Sequence, residues 1–402
     1  MSVKILYDLS SSQPQGEMKI NGGGGYSMLL FYKTVEKLGT DAVEVLFNAN
    51  NPDNGEMLAF CLKNNITVNK FASVDDFNRY LSSGKYTTLV LPVCYPEYHG
   101  LMVDNSIRVI SVIHDLCHVY AGKLRIKYGE YPKSDGLNWL RRIRNYFRAA
   151  RSRRNFLRWH NRIIALNSNQ TVVTVTQYSK CTMLHYLNFT DPDKVKVFYS
   201  PVKKFGDTKA TAAETLQKYG LAGGKYFMLS STCRSTKNNA IALFTLDKMF
   251  SCPKYAEMLE GYKVIALGTD KLFLDYFKGK LQNPERFVFE NYVDLPTLTA
   301  LYQNAHLFIF PSLLEGFGLP PVEAMQCGTV PACSTAMSIP EVCGGAAIYF
   351  DPRDEESILL AILKSFDAEF MAQMRALGKK RSDELLRQGD RDLERLVDLI
   401  RP

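Results

Sequence analysis

One short stretch in the last third of the chain joins an apolar run, a glycine-rich turn and the start of a helix. The run from His306 to Phe310 has the length and composition of a buried strand. The turn that follows contains Glu315, Gly316 and Gly318, and glycine allows a ligand to come close to the backbone. The stretch therefore predicts a ligand-binding turn at the end of a buried strand.

The helix predicted after this turn is marked at both ends. Pro320 and Pro321 suit its first turn, where no backbone donor is needed, and Gly328 is placed to end it. A strand, a turn and a helix start in this order direct backbone amides and the helix dipole toward an anion. Glu315 in the turn and Glu323 about one turn into the helix are therefore expected to face different parts of one polyhydroxyl ligand.

Strand-like and helical stretches alternate along the whole chain, which predicts parallel sheets with helices on both faces. In the first half, strands are predicted at residues 3–9, 43–47, 86–93, 108–113, 171–176 and 194–199. In the second half they are predicted at residues 226–230, 263–267, 286–289, 307–310, 330–333 and 347–350. We therefore expect an α/β protein with two doubly wound, Rossmann-like domains facing a cleft, where ligands bind beyond the carboxyl ends of the strands.

A polar stretch after Tyr199 separates the two halves. We place an N-terminal domain at residues 1–200, a C-terminal domain at residues 201–380 and a final charged helix at residues 381–402. The chain is long enough for two domains of ordinary size.

The composition excludes several classes of protein. Hydrophobic residues make up 46% and charged residues 22% of the chain, which indicates a globular and not a disordered protein. The N-terminus lacks the layout of a signal peptide, and no apolar run has the length of a membrane span. Nine cysteines are scattered without a Cys-x-x-Cys pair, which argues against a zinc site or a disulfide framework. We therefore expect a cytoplasmic protein.

The segment Glu-Gly-Phe-Gly-Leu-Pro-Pro-Val-Glu at residues 315–323 resembles the Glu-x7-Glu signature of retaining glycosyltransferases of the GT-B fold, specifically glycosyltransferase family 4. Residues 324–331 and 338–344 continue the similarity. The pattern of two glutamates is common by itself, whereas the run from Leu301 to Pro352 is specific as a whole. The resemblance implies that the N-terminal domain lies on the acceptor side and that the C-terminal domain binds a nucleoside-diphosphate sugar as donor. It also implies retention of anomeric configuration, no metal, and a last helix that crosses back to the first domain.

A second motif in the same half carries two cations. Arg234 and Lys237 lie between a predicted strand and a predicted helix, so that a guanidinium fork and an ammonium group can grip one diphosphate. The family has a similar Arg-x-x-Lys-Asn element that binds the nucleotide diphosphate. The resemblance also implies that Glu315 orients the transferred sugar and that Glu323 holds the ribose hydroxyls. It completes the donor-binding set with Phe317, Gly318 and Leu319.

Two features of the first half are further candidates. A run of four glycines before a predicted helix at residues 26–38 forms a loop whose amides could hold a phosphate of donor or acceptor, and a flexible loop without a ligand is the alternative. Its members are Gly22, Gly23, Gly24 and Gly25. His114 ends a predicted strand in a His-Asp pair, and the family has a His-Asp element at this place. We therefore assign His114, with Glu315, to the catalytic site.

No group of side chains predicts a metal site. Asp191 and Asp193 resemble an Asp-x-Asp metal clamp of another glycosyltransferase fold, but Pro192 between them predicts an ordinary turn before a strand. We therefore expect no metal and no cofactor, with the nucleoside-diphosphate sugar as a substrate.

The net charge of +8 is concentrated in one predicted helix. Nine arginines and no acidic residue lie between Arg141 and Arg162, around apolar residues at helical spacing. Two interpretations remain open: an amphipathic helix on an anionic membrane surface, and a solvated basic face over an apolar core stripe. RNA is disfavoured because no nucleic-acid-binding module surrounds the helix, so no nucleic acid partner is expected.

These observations predict a retaining, metal-independent hexosyltransferase that uses a nucleoside-diphosphate sugar and a hydroxyl acceptor. The usual acceptors of the resembled family and the basic helix favour a glycan or lipid-linked glycan of bacterial surface polysaccharide synthesis as the acceptor. The enzyme would then act at the inner face of the membrane. A sugar-nucleotide epimerase of the same fold is one alternative, but it would need catalytic carboxylates in the first domain. A catalytically silent, membrane-associated partner subunit is the other, and the intact glutamates and cations of the second domain argue against it.

Overall fold

The computed structural model describes residues 4–14, 22–117, 119, 138–206, 209–232, 234–277 and 279–401, with the side chains of residues 138–149, 209–211 and 272 outside that description. The chain divides into two compact units. The first contains the described residues up to 119, residues 150–201 and the C-terminal residues from 388 onward. The second contains residues 138–149 and 202–387.

The first unit is built on a sheet of seven parallel strands in the order β3-β2-β1-β4-β5-β6-β7. The strands are β1 (Ile5–Asp8), β2 (Val43–Asn48), β3 (Val68–Phe71), β4 (Thr88–Leu91), β5 (Arg108–Val112), β6 (Gln170–Thr174) and β7 (Val195–Val197). Strands β1 and β4 are buried throughout, as expected where helices cover both faces of a parallel sheet. The helices are α1 (Gly22–Leu38), α2 (Gly55–Lys63), α3 (Val74–Leu81), α4 (Asn138–Ile163), which belongs to this unit from residue 150 onward, and α5 (Gln177–Tyr186).

The second unit repeats this plan with six parallel strands in the order β10-β9-β8-β11-β12-β13. The strands are β8 (Tyr226–Leu229), β9 (Lys263–Leu267), β10 (Phe287–Glu290), β11 (Leu307–Phe310), β12 (Pro331–Ser334) and β13 (Ile348–Phe350). The helices are α6 (Lys209–Lys218), α7 (Asn239–Ser251), α8 (Lys271–Phe277), α9 (Leu295–Asn304), α10 (Leu319–Gln326), α11 (Ile339–Cys343), α12 (Glu355–Lys364) and α13 (Ala368–Ile400).

Alternate side chains of the second sheet enter two separate cores. Phe227 and Leu229 of β8 belong to one apolar cluster, whereas Tyr226 and Met228 belong to another. Because apolar clusters cover both faces of the sheet, its strands are continuous apolar runs. Such runs can be predicted from the sequence. The predicted fold class, two doubly wound parallel α/β domains, is confirmed.

Three local features differ from the sequence prediction. Strand β3 and helix α3 had not been predicted, and α1 begins at Gly22, where a loop had been predicted through Gly25. The N-terminus of α3 carries a capping box, in which Ser73 and Asp76 satisfy each other's backbone amides. None of the helices in the described part of the chain is long and apolar enough to cross a membrane.

The last helix, α13, contributes to both units, since residues from 388 onward group with the first. Within the first unit, its end is held by ion pairs from Lys33 and Lys37 to Glu394, and from Lys37 to Asp398. Nη1 of Arg108, on β5, donates to the carbonyl oxygen of Arg401 at 2.7 Å. Charged side chains therefore fix the C-terminal turn against α1 and β5.

Gly389 gives a test of how tightly this helix packs. A Cβ atom at this position would lie 2.9 Å from the carbonyl oxygen of Ser200 and 3.0 Å from Cα of Pro201, both of them backbone atoms. Alanine normally stabilises a helix by about 1 kcal/mol over glycine, but overpacking costs about 1–3 kcal/mol. We therefore expect Gly389→Ala to lower the midpoint of thermal unfolding.

Gly378 of the same helix provides the matched control. A Cβ atom there would meet Cγ of Met325 at 3.4 Å, and this flexible side chain can move aside. Gly378→Ala should leave the midpoint unchanged or raise it. Equal effects of the two substitutions would show that contact with residues 200 and 201 does not limit position 389.

Candidate active site

The carboxyl edge of the second sheet has the geometry of a ligand site. Strands β8 and β11 are neighbours, and the chain order of the sheet reverses between them. At such a switch point the connections diverge to opposite faces and leave a crevice beyond the strand ends. The turns that follow β8 and β11 carry three of the predicted donor residues: Arg234, Lys237 and Glu315.

The two turns are joined directly to each other. The backbone amide of Leu313 donates to the carbonyl oxygen of Thr236 at 2.9 Å. The Lys237 ammonium forms an ion pair with Oε1 of Glu315, and these side chains are only 12% and 10% exposed. The same ammonium lies 5.4 Å from the ring centre of Phe310. One cation and one carboxylate are thus fixed side by side at the edge of the sheet.

Arg234 stands beside this pair in a different environment. It precedes the 3-10 turn Ser235–Lys237, and its carbonyl oxygen accepts from the Lys237 amide at 2.9 Å. Its side chain is exposed, whereas that of Lys237 is mostly buried. The turn ends at Asn238, whose left-handed backbone (φ 57°) is held by a 2.6 Å hydrogen bond from its side chain to the Pro352 carbonyl oxygen. The two cations of the predicted diphosphate clamp therefore lie in one turn, one exposed and one paired, and their binding of a diphosphate stays a prediction.

The turn that carries Glu315 is fixed by a residue that sequence reasoning did not select. Oγ of the buried Ser338 donates to the carbonyl oxygen of Glu315 at 2.9 Å and to that of Phe317 at 3.4 Å. Gly318 has a φ of 91°, a conformation that favours glycine, and Leu319 then starts α10. Ser338 lies in the segment that continues the family resemblance, but only the folded chain shows that it contacts the glutamate turn.

Glu323 lies on α10 and is partly buried. The Tyr302 hydroxyl donates to its Oε2 at 3.3 Å. Burial raises the pKa of Glu323, whereas the Tyr302 hydroxyl and the charge of Lys203 act in the opposite direction. The two predicted glutamates thus have different partners, an ammonium for Glu315 and a phenol for Glu323.

The four glycines of the first unit do not form a loop. Gly22, Gly23, Gly24 and Gly25 make up the first turn of α1, and Asn21 lies outside the described residues. Glycine is tolerated there because first-turn amides lack intrahelical acceptors and the helix gains its stability from the buried face that follows. Such amides suit an anion, so the phosphate role remains a prediction.

His114 lies just beyond the end of β5 in the first unit. Its Nε2 is 3.3 Å from the carbonyl oxygen of Pro92, and its ring packs edge-on against Tyr26 with a centroid separation of 4.7 Å. Burial lowers the pKa of His114, which favours a neutral ring. Because a carbonyl oxygen only accepts, the proton lies on Nε2 and Nδ1 is left as an acceptor.

A buried carboxylate at the end of β1 escaped the sequence analysis. Asp8 accepts hydrogen bonds from the amide of Ser10 at 2.9 Å and from the hydroxyls of Ser10 and Tyr98 at 2.5 and 2.6 Å. Burial raises the pKa of Asp8 to about 6. The sequence signal that could have identified Asp8 was an acidic residue at the end of an otherwise apolar strand.

The basic helix α4 presents one charged face in the part whose side chains are described. This face consists of the exposed residues Arg151, Arg154, Arg158 and Arg162. Their spacing places them on one side of the helix, while His160 and Ile163 are buried. The arginines from Arg141 to Arg148 lie among the residues whose side chains are not described.

Residues that could bind a metal are not grouped in the described part of the chain. No set of three or more His, Cys, Asp or Glu side chains lies close enough there to hold an ion. Asp191 instead caps the 3-10 turn Pro192–Lys194, with its Oδ1 accepting from the amide of Asp193 at 2.8 Å.

Because Lys237 is paired and Arg234 is exposed, replacing these two residues should affect the stability of the protein differently. Lys237→Met would leave the mostly buried Glu315 carboxylate without its cation, and loss of one partner of such a pair costs about 3 kcal/mol or more. Arg234→Met removes an exposed charge, which usually changes stability by less than about 0.5 kcal/mol. Thermal unfolding should therefore show a lower midpoint for Lys237→Met alone.

The double variant Lys237→Met/Glu315→Gln is the control for this prediction. It removes both charges and should regain part of the lost stability. If Lys237→Met unfolds at the same temperature as Arg234→Met, the pair does not hold the two turns together.

Comparison with known proteins identifies similar sequences over the part of the chain that contains this site. Residues 234–381 match the family model described as "Glycosyl transferases group 1". An O-antigen chain mannosyltransferase B of Escherichia coli is 31% identical over 204 residues, which cover 50% of this chain and 52% of that protein. The chain thus matches about half the length of this curated relative.

Solved structures extend the similarity of fold to almost the whole chain. A sucrose-phosphate synthase from Thermosynechococcus elongatus superposes with a TM-score of 0.69 at 13% identity, covering 99% of this chain and 98% of that one. WaaG, described as a glycosyltransferase involved in lipopolysaccharide biosynthesis, gives 0.66 at 14% identity and covers 99% of both chains. The chain therefore shares the GT-B fold of these structures, and its residues 234–381 match the family model of the glycosyl transferases group 1.

Proposed function

We propose that the protein is a retaining hexosyltransferase that transfers a sugar, with mannose as the first candidate, from a nucleoside diphosphate to a hydroxyl of a bacterial surface polysaccharide or its lipid-linked precursor. The observation that carries this proposal is the pairing of Lys237 with Glu315 beside Arg234. Mannose is chosen because the curated relative at 31% identity is named an O-antigen chain mannosyltransferase.

The adjacent opposite charges match the chemistry of the donor. In a nucleoside-diphosphate sugar the anionic diphosphate is bonded directly to the anomeric carbon of the sugar. A cation for the phosphate and a carboxylate for sugar hydroxyls must therefore lie side by side, as Lys237 and Glu315 do. Arg234 is exposed at the same edge and can add a bidentate contact to the diphosphate.

In the transfer, the bond between the anomeric carbon and the diphosphate oxygen breaks, and its electron pair leaves with the diphosphate. The acceptor oxygen forms the new bond on the face that the diphosphate leaves, and the acceptor proton passes to a phosphate oxygen. Arg234 and Lys237 stabilise the charge that develops on the leaving group. We assign His114 a contact with the transferred sugar, in which Nδ1 can accept a hydrogen bond.

No metal enters this proposal, since the two cations are assigned the role that a metal ion has in other phosphate sites. Transfer in excess EDTA should therefore stay within a factor of about two of the untreated rate. A loss of transfer that Mn²⁺ or Mg²⁺ restores would contradict metal independence.

The epimerase alternative is weakened by the surroundings of Asp8. Asp8 is a buried carboxylate of the first unit, and it accepts three hydrogen bonds from Ser10 and Tyr98. Its oxygens are already engaged by protein donors, which suits a structural cap better than a catalytic base.

A binding panel followed by a transfer assay tests the function. Nucleoside diphosphates and their sugars should raise the midpoint of thermal unfolding, because a ligand that binds only the folded state stabilises it. The best donor is then incubated with lipid-linked acceptors, and the anomeric configuration of the product is determined. A protein that binds none of the donors, or a product of inverted configuration, would overturn the proposal.

Replacing each of the two glutamates separately should affect different kinetic constants. Glu315 is assigned to the reacting sugar, so its contacts should strengthen in the transition state and Glu315→Gln should mainly lower kcat. Glu323 is assigned to the unreactive ribose, so Glu323→Gln should mainly raise the donor KM and weaken diphosphate binding. Steady-state kinetics measures both, and circular dichroism checks folding. A normal kcat for Glu315→Gln, or a normal KM for Glu323→Gln, would show that the roles are misassigned.

We also propose that the arginine face of α4 binds anionic lipid, which would place the enzyme at the inner face of the membrane. The wild-type protein should sediment with anionic vesicles and not with neutral ones, and salt should release it because charges are screened over about 10 Å at 0.1 M. Changing Arg151, Arg154, Arg158 and Arg162 to Gln should abolish sedimentation.

A control variant removes the same charge from another surface. It changes four exposed lysines of the second unit, Lys248, Lys254, Lys271 and Lys280, to Gln. This variant should sediment like wild type. Equal loss of binding in both variants would mean that net charge and not the α4 face determines lipid binding.

A further inference from the structure

A segment just after the boundary between the units is fixed to the helix that carries Glu323. The side-chain amide of Gln326 donates to the carbonyl oxygen of Lys203 at 2.8 Å, and its Oε1 accepts from the amide of Phe205 at 3.0 Å. Gln303 donates to the carbonyl oxygen of Gly206 at 3.2 Å. Two glutamines of the second unit thus hold residues 203–206 by their backbone.

This attachment places the segment beside Glu323. Gln326 follows Glu323 by three residues on α10, and side chains at this spacing lie on the same face of a helix. Lys203, held by Gln326, is accordingly the cation whose charge acts on Glu323. Its backbone is fixed although its side chain is exposed.

Tyr302 approaches Glu323 from α9. Its hydroxyl donates to Oε2 of Glu323 at 3.3 Å, and its ring is buried. The ring is held edge-on against Phe205 of the same segment, with the centroids 6.0 Å apart and the planes at 86°. The carbonyl oxygen of Tyr302 accepts from Oγ1 of Thr329. The backbone of Tyr302 is therefore held by Thr329, and its buried ring is packed against Phe205.

The charge of Glu323 depends on these neighbours. Burial raises the pKa of Glu323, and both the hydrogen bond from Tyr302 and the charge of Lys203 lower it. Cys327 also faces the carboxylate, but burial and the Glu323 charge raise the pKa of this thiol to about 12, so it carries no charge at neutral pH. The hydrogen bond from Tyr302 and the charge of Lys203 thus both oppose the effect of burial on the pKa of Glu323.

We propose that Tyr302 and Lys203 are positioning residues for the donor site: Tyr302 holds the Glu323 carboxylate in one orientation through its hydrogen bond, and the nearby positive charge of Lys203 favours the charged form that accepts hydrogen bonds from the donor. The assignment of Glu323 to the donor rests on the proposed function. A protonated carboxyl would offer a hydrogen and lose acceptor capacity toward a diol such as that of ribose. Residues 203–206 are then part of the donor site, although none of them needs to contact the ligand.

The first experiment needs no ligand. The side-chain carboxyl carbons of ¹³C-labelled glutamate are followed by NMR as the pH is changed, and Glu323→Gln identifies the Glu323 signal. Tyr302→Phe and Lys203→Met should each move the Glu323 titration to higher pH, since each removes a group that favours the charged form. Two matched controls, Tyr219→Phe and Lys225→Met, alter a phenol and a lysine elsewhere in the same unit and should leave it in place. An unmoved titration in both test variants would overturn the proposal, whatever the protein binds.

The second experiment connects this charge to binding. Isothermal titration with the best nucleoside diphosphate is carried out at pH 6 and pH 8 on wild type and the same variants. Relative to wild type, Tyr302→Phe and Lys203→Met should weaken binding more at pH 6 than at pH 8, and this difference should vanish when either change is combined with Glu323→Gln. A moved NMR titration with no binding by wild type would refute the proposed function alone. A moved titration with an equal loss at both pH values would show that the charge of Glu323 is not what the ligand uses.

Discussion

The second unit depends on the contact between two turns that are 78 residues apart in the chain. The order of the sheet makes β8 and β11 neighbours, so that the turn after each begins at the same edge. The ion pair of Lys237 with Glu315 and the hydrogen bond from the Leu313 amide to the Thr236 carbonyl oxygen then join the two turns into one surface. Ser338 extends this surface to α11. A polar site of this rigidity is possible because apolar cores on both faces of the sheet fix the strand ends from which the turns start.

The sequence predicts the strands of both sheets well because burial on both faces leaves continuous apolar runs, such as Leu307–Phe310. The edge strand β3 was missed because Val68–Phe71 is only half-buried and contains Asn69 and Lys70, which break the apolar run. Helix α3 was missed although Ser73 and Asp76 supplied the pattern of a capping box. The glycines of α1 were read as a loop from local propensity, which the packing of the following buried turns overrides.

At the candidate site, the sequence identified residue types that lie together at one edge, but it did not identify their partners. Arg234, Lys237 and Glu315 could be selected because each follows a predicted strand, and the ends of parallel strands share an edge. The contacts made by Ser338 and Tyr302 depend on the positions of α11 and α9, and those positions are set by long-range packing. No local pattern distinguishes such a serine or tyrosine from an ordinary core residue. The role of Lys203 was hidden for the same reason, since its sequence context is that of a linker.

The two glutamates are supported in ways that suit different tasks. Glu315 is paired with a cation that the proposed function also assigns to the diphosphate, so the arrival of the donor must redistribute its contacts. As Lys237 turns toward phosphate, the sugar hydroxyls can replace it on Glu315, and the carboxylate is not left unpaired. Glu323, in contrast, accepts a hydrogen bond from Tyr302 and is influenced by the charge of Lys203, and neither residue is assigned to the ligand. An environment that changes on binding suits a group acting on the reacting sugar, whereas a constant one suits a group that only recognises the donor.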